Sequence, residues 1–202
     1  MNDKNKNKVW SVYFEETNQI HDSAKTARNQ VPRVAKYIES LNLPQSSIVL
    51  DIGCGKHNNL FEQYILDIGL QYYGIDPFNK SMKINSHAID ICAEGKSDLV
   101  CINNVFNVIK EKHIWHSILL QAKNALKENG HLIIQVYEGV QTKEERENKI
   151  KDLKPIQTRD GWQNRLKIEK YLVEVQSVFP SAKVISSKNG KFIILDQYKK
   201  DL

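Results

Sequence analysis

The sequence predicts an α/β fold: one domain built on a doubly wound, mostly parallel sheet that ends in an antiparallel hairpin. Three observations carry this reading. Short apolar runs alternate with segments of helical period, the signature of successive strand–helix–strand units with right-handed connections. Near the carboxyl end, two strand-like runs, 183–188 and 191–196, flank Asn189-Gly190, a pair suited to a tight hairpin turn. The length of 202 residues suffices for one domain with a full core.

Taken in order, residues 24–41 place Val31, Val34, Ala35, Ile38 and Leu41 on one helical face, and Pro32 in a first turn implies a start near Gln30. Leu43-Pro44-Gln45-Ser46-Ser47 ends that helix. Residues 48–52, Ile-Val-Leu-Asp-Ile, are a short, mainly apolar run, as expected of a buried parallel strand. A helical period returns over 58–70 (Leu60, Phe61, Tyr64, Ile65, Ile68), stopped by Gly69. Residues 71–76 read as the second strand, 83–96 as a weaker third strand and crossover, and 98–103 as another strand. A helix over 112–127 precedes a break at Asn129-Gly130 and a strand over 131–137. Residues 138–163 are charged and lack an apolar period, which marks a functional or mobile segment. A last helix is expected over 164–178. The whole chain, 1–202, reads as one domain with its core at 48–196 and a flexible or lid-like segment at 1–20.

Composition excludes several classes. Hydrophobic residues are 41% and charged residues 26% of the chain, ordinary for a globular protein and wrong for a disordered or collagenous one. No apolar run reaches the roughly 18 residues of a membrane span, and the amino terminus lacks a secretory apolar stretch. A cytoplasmic protein without a membrane partner is expected. Cys54, Cys92 and Cys101 form no CxxC pair, so neither a disulfide framework nor a zinc site is expected. The net charge of +5 is uneven: residues 141–202 carry 14 basic and 9 acidic groups, which permits an anionic partner.

The informative stretch is Asp51-Ile52-Gly53-Cys54-Gly55-Lys56-His57, set between a strand and a helix. Glycines allow a sharp turn and close approach to a ligand, and a helix start offers free N–H groups. Asp76 ends the second strand, near the offset at which a carboxylate accepts nucleoside ribose hydroxyls. Asn58 stands where a dinucleotide loop needs its third glycine, which counts against an NAD(P)-dependent oxidoreductase, the first alternative. Asp51, two residues before Gly53, would repel a pyrophosphate but suits loop amides or an ammonium group.

With VLDIGCG at 49–55, YYGID at 72–76, DLVCINNVFNVI at 98–109 and ALKENGHLIIQVY at 125–137, the chain resembles the class I S-adenosylmethionine-dependent methyltransferases. The NNVFNVI segment and residues 157–172 also loosely resemble small methyltransferases of bacterial and phage genomes. The resemblance implies a seven-stranded Rossmann-like sheet, S-adenosyl-L-methionine as cofactor, and no metal. It places Gly53 and Gly55 at the methionine part, Asp76 at the ribose, and Asp90 and Ile91 near the adenine; Asp51, Pro77 and Asn103 are further cofactor-binding candidates. His57 occupies the place of a frequent third loop glycine. The implied reaction is in-line attack by an acceptor nucleophile on the sulfonium methyl, helped by positioning and water exclusion.

The acceptor is not legible. Asn103-Asn104-Val105-Phe106 lacks the prolines of an exocyclic-amine methylase, and Cys101 reads as a small core residue. Asn104 and Tyr137 are the catalytic candidates. Arg28, Arg159, Trp162 and Arg165 are the substrate-binding candidates, because guanidinium groups and an indole suit a planar or anionic ligand. Arg33, Lys25 and Trp10 would form an opposite wall of the cleft. Asn164 is a candidate helix cap. Nucleic acid stands ahead of a small molecule and of protein as acceptor, and a catalytically silent binding module is the second alternative.

Overall fold

A computed structural model describes residues 31–150, 153–158 and 161–197; the expected lid-like segment at 1–20 lies outside them. The apolar runs become strands β1 (Ile48–Ile52), β2 (Gln71–Ile75), β3 (Ser97–Asn103), β4 (Leu126–Gln135), β7 (Lys183–Ser187) and β8 (Gly190–Leu195). They form one sheet in the order β2-β1-β3-β4-β8-β7. The first four are parallel, and β8 and β7 complete the sheet antiparallel. Successive residues point to opposite faces, so each face needs its own cover. Leu50, Val100, Ile102, Leu132 and Ile193 pack under α3 (Met82–Cys92), α4 (Lys112–Ala125) and α6 (Ile168–Gln176). Val49, Leu99, Cys101, Ile133 and Ile194 pack under α1 (Val34–Ser40) and α2 (Asn59–Asp67).

Among the described residues the sheet has six strands, not the seven that the resemblance implies. Residues 83–96 supply no strand, because they form helix α3. Its N-cap Ser81 accepts a hydrogen bond from Ile84 N, and it buries Asn85, Ala88 and Cys92 on one face. The break expected at Asn129-Gly130 is instead a kink inside β4, where the register with β3 shifts. Asn129 takes a left-handed φ of 64°, and a Cβ on Gly130 would lie 2.9 Å from Lys127 O. The charged stretch 138–163 holds the short helix α5 (Lys143–Glu147), closed by a Thr142–Glu145 capping box, and strand β5 (Ile156–Thr158) paired with β6 (Gly161–Gln163).

Among the described residues, no helix is long and apolar enough to cross a membrane. No group of three or more His, Cys, Asp or Glu side chains there is placed to hold a metal ion.

Candidate active site

A cleft of about 960 Å³ opens at the carboxyl ends of β1, β3 and β4, the edge at which open α/β sheets bind ligands. Its floor is the loop after β1. Gly53 and Gly55 have φ of 75° and 71°, a region L side chains rarely enter. A Cβ on Gly53 would also lie 2.5 Å from Val105 Cγ2, so backbone and β3 exit loop are in contact there. Gly53 N and Cys54 N donate to Ile75 O, and Gly55 N donates to Asp76 Oδ2 at 2.9 Å. The end of β2 thereby fixes the loop.

Asp51 is buried at the root of this loop. Tyr72 Oη donates to its Oδ2 at 2.9 Å and Asn103 Nδ2 to its Oδ1 at 3.1 Å. Burial raises its pKa to about 7, against the pull of those two hydrogen bonds. Asn58 Nδ2 donates to Tyr72 Oη, and Lys80 Nζ donates to Asn58 Oδ1 at 2.6 Å. Tyr72 reaches Asp51 because residue 74 is glycine: a Cβ there would lie 2.9 Å from the tyrosine oxygen. Asn103 Oδ1 is buried and has no hydrogen-bond partner among the described residues. An orphaned acceptor beside a buried carboxylate is costly unless a ligand supplies a donor.

Asp76 is buried too. Its Oδ1 accepts from Phe78 N, Asn79 N and Asn79 Nδ2, which saturates that oxygen. Its Oδ2 accepts only from Gly55 N among these contacts and retains a lone pair toward the cleft. Pro77 follows in the same turn but does not line the cleft, whereas Phe78 and His57 do. Asp90 and Ile91 lie on α3, away from the lining, with Asp90 exposed.

Asn104 leaves β3 in a left-handed conformation, φ 58°, and its N–H donates to Gln135 O at 2.8 Å. Its side chain is exposed to the cleft, as is the ring of Tyr137. Asn107 fixes Tyr137 from below: its Nδ2 donates to Tyr137 O, and its Oδ1 accepts from Tyr137 N at 2.8 Å. Asn107 Nδ2 also reaches Asn164 O and Tyr171 Oη. Asn164 does not cap α6, which begins at Ile168; it is buried, and its Nδ2 donates to Phe106 O at 2.7 Å and Ile109 O at 2.6 Å. The stacked rings of Phe106, Trp115 and Tyr171 back this loop.

Arg165, expected to meet substrate, is buried and turned inward. Its two terminal nitrogens pair with both oxygens of Glu145 at 2.9 and 2.7 Å, and its Nε donates to Lys154 O. The guanidinium holds the Glu145 carboxyl at a pKa of about 2. It fastens residues 138–163 to the domain, and its charge is paired within the fold. Trp162 donates from Nε1 to Asn164 Oδ1, and Lys110 Nζ lies 5.1 Å above its ring; it does not line the cleft. Arg28 and Arg159 lie outside the described residues. The three cysteines are buried, and burial drives the Cys101 thiol pKa well up, as suits a core residue.

The sequence offers no sign of the roles of Tyr72, Gly74 and Lys80, although Tyr72-Tyr73-Gly74 stands beside Asp76, and it marks Asn58 only as a missing glycine. The chain matches a family described as a methyltransferase domain over residues 21–175. A search of curated proteins gave no match. Among solved structures, it is similar to a Burkholderia thailandensis 1,6-didemethyltoxoflavin-N1-methyltransferase with bound 1,6-didemethyltoxoflavin and S-adenosylhomocysteine (TM-score 0.57, 13% identity, covering 97% of this chain and 87% of that one). It is similar also to a SAM-dependent methyltransferase of Methanosarcina mazei (TM-score 0.52, 16% identity, 78% and 95% covered). A third is a Nostoc punctiforme protein classed provisionally as an O-methyltransferase (TM-score 0.51, 14% identity, 82% of this chain covered). The present chain spans 55% of that protein's length, and 43% of a Haemonchus contortus phosphoethanolamine N-methyltransferase.

Proposed function

The chain belongs to the methyltransferase-domain family, and from that premise we propose that its cleft binds S-adenosylmethionine and transfers the methyl group to an acceptor. The observation that carries the reading is the acceptor pair at the root of the glycine loop: buried Asp51 with the unpartnered Asn103 Oδ1 beside it. Two neighbouring acceptor groups, one of them anionic when ionised, fit an ammonium group and a nearby sulfonium charge. They do not fit a pyrophosphate. Asp76 Oδ2 is left to accept from a ribose hydroxyl, one oxygen rather than two. When bound, the cofactor supplies an electrophilic methyl group.

The chain's own residues orient and enclose. The left-handed Asn104 and the Tyr137 ring stand at the mouth of the cleft, where an amide oxygen or a phenol accepts a proton-bearing acceptor group and aligns it. Asn107 holds the backbone of Tyr137, so the two candidates keep their spacing. Phe61 and Val105 line the apolar side and exclude water. Nucleic acid loses its place as first acceptor, because two residues that recommended it, Arg165 and Trp162, are engaged within the fold.

Calorimetry with S-adenosylhomocysteine and, separately, NAD tests the reading. Saturable binding of S-adenosylhomocysteine at one site, with no heat from NAD, is expected. Binding of NAD alone would replace the methyltransferase reading with the oxidoreductase one.

A further inference from the structure

We infer that the hairpin end of the cleft binds the anionic group, carboxylate or phosphate monoester, of a small-molecule methyl acceptor; this rests on the donor reading above. The two ends of the cleft carry opposite charge. Asp51 and Asp76 line the glycine-loop end, whereas Arg33, Lys191, Ser186 and Ser187 line the end formed by α1 and the β7–β8 hairpin.

Arg33 is held in place by its surroundings. The next residue, Val34, donates its N–H to Gln135 Oε1 at 3.1 Å, which ties the start of α1 to β4. The arginine stem lies against the hairpin: a Cβ on Gly190 would be 3.8 Å from Arg33 Cδ. Arg33 is exposed and enters none of the ion pairs found among the described residues. Lys191 reaches Glu138 Oε2 only at 3.9 Å, and the other Glu138 oxygen accepts from Ile168 N at the start of α6. Two cations thus line the cleft, one of them with a carboxylate at 3.9 Å.

An anion seated there is repelled by Asp51 and Asp76 and drawn by Arg33 and Lys191, so the acceptor enters in one orientation, with its uncharged part toward the donor. The volume of about 960 Å³ is that of a small-molecule site. A polynucleotide needs cations outside the cleft, and several basic groups of the carboxyl third are already committed. Arg165 is paired with Glu145 and Lys183 with Asp196.

The test incubates the full chain with S-adenosylmethionine labelled in the methyl group and a cell extract split into DNA, RNA, protein and small molecules, the last resolved by anion exchange. Label is expected in the anionic small-molecule pool, and phosphatase treatment then separates phosphate esters from carboxylates. Arg33→Gln and Lys191→Gln should each lower incorporation about tenfold to a hundredfold, as expected for a lost charge-assisted contact. Their affinity for S-adenosylhomocysteine should stay unchanged. Lys83→Gln, the same charge change on the exposed face of α3, should leave incorporation unchanged. Label in nucleic acid, protein or neutral molecules overturns the proposal. So does transfer to no pool by a chain that binds S-adenosylhomocysteine. A chain that does not bind it overturns the donor reading and this inference together.

Discussion

Two buried polar networks start from the asparagines at the exit of β3, and they differ in completeness. Asn107, four residues after Asn103, has its oxygen and its amide group committed to Tyr137, Asn164 and Tyr171. Asn164 answers it by closing Phe106 O and Ile109 O. That network is scaffolding. Asn103 shares one bond with Asp51 and leaves an oxygen without a donor, next to a carboxyl that burial keeps near neutrality. Asn103 is among the residues that line the cleft. A satisfied amide holds the loop; an unsatisfied one, a few residues away, waits for a ligand.

The contrast is broken most directly by Asn164→Ala. Two buried carbonyls lose their donor, so stability should fall by roughly 3 kcal/mol, read as a lower urea midpoint. A change within error would mean that this network is not structural. Asp51→Asn should do the reverse. It removes a costly buried charge, so the fold survives at pH 8, while S-adenosylhomocysteine binds about tenfold to a hundredfold more weakly. Unchanged affinity in the folded variant would sink the ammonium assignment.

The pH dependence sharpens the same point. The folded protein holds the Asp51 proton up to about pH 7, against an ordinary value of 3.8. The stability due to this proton is full below pH 3.8 and is lost as pH rises through about 7. The melting temperature of the unliganded chain should therefore show a falling component between about pH 4 and 7, absent in Asp51→Asn. Cofactor binding favours the ionised carboxyl and should tighten from pH 6 to 7.5. A smaller and more local effect is expected of Arg165→Ala: faster proteolysis within residues 138–163 at unchanged cofactor affinity. The smallest is His57→Gly, which removes a cleft-lining ring that forms no hydrogen bond in the described site and should alter affinity less than threefold. Loss of binding there would make His57 a cofactor contact.

Strands β1 and β3 were legible because each is mainly an apolar run buried on both faces, and Asp51, Gly53, Gly55 and Asp76 because loop and strand end follow each other in sequence. Helix α3 forms where the pattern suggests a weak strand and crossover, although Asn85, Ala88 and Cys92 recur at helical spacing. The Thr142–Glu145 capping box was also visible and passed over in a stretch without apolar period. Arg165 and Trp162 could not be placed, because their partners, Glu145 and Lys110, are distant in sequence. Whether an arginine serves a ligand or the fold depends on such long-range pairs, which local periodicity does not carry.

The missing third strand has a consequence for self-association. Among the described residues, β2 pairs with β1 alone, so its outer row of amides and carbonyls forms an edge of the described sheet, onto which a further strand can add. Two features blunt that template. It is five residues long, roughly 17 Å at the rise of an extended strand. Its fourth residue is Gly74, which a tyrosine needs bare and which contributes no side chain to a pairing surface. The glycine that lets Tyr72 reach Asp51 therefore also makes this border a poor nucleus for intermolecular sheet growth.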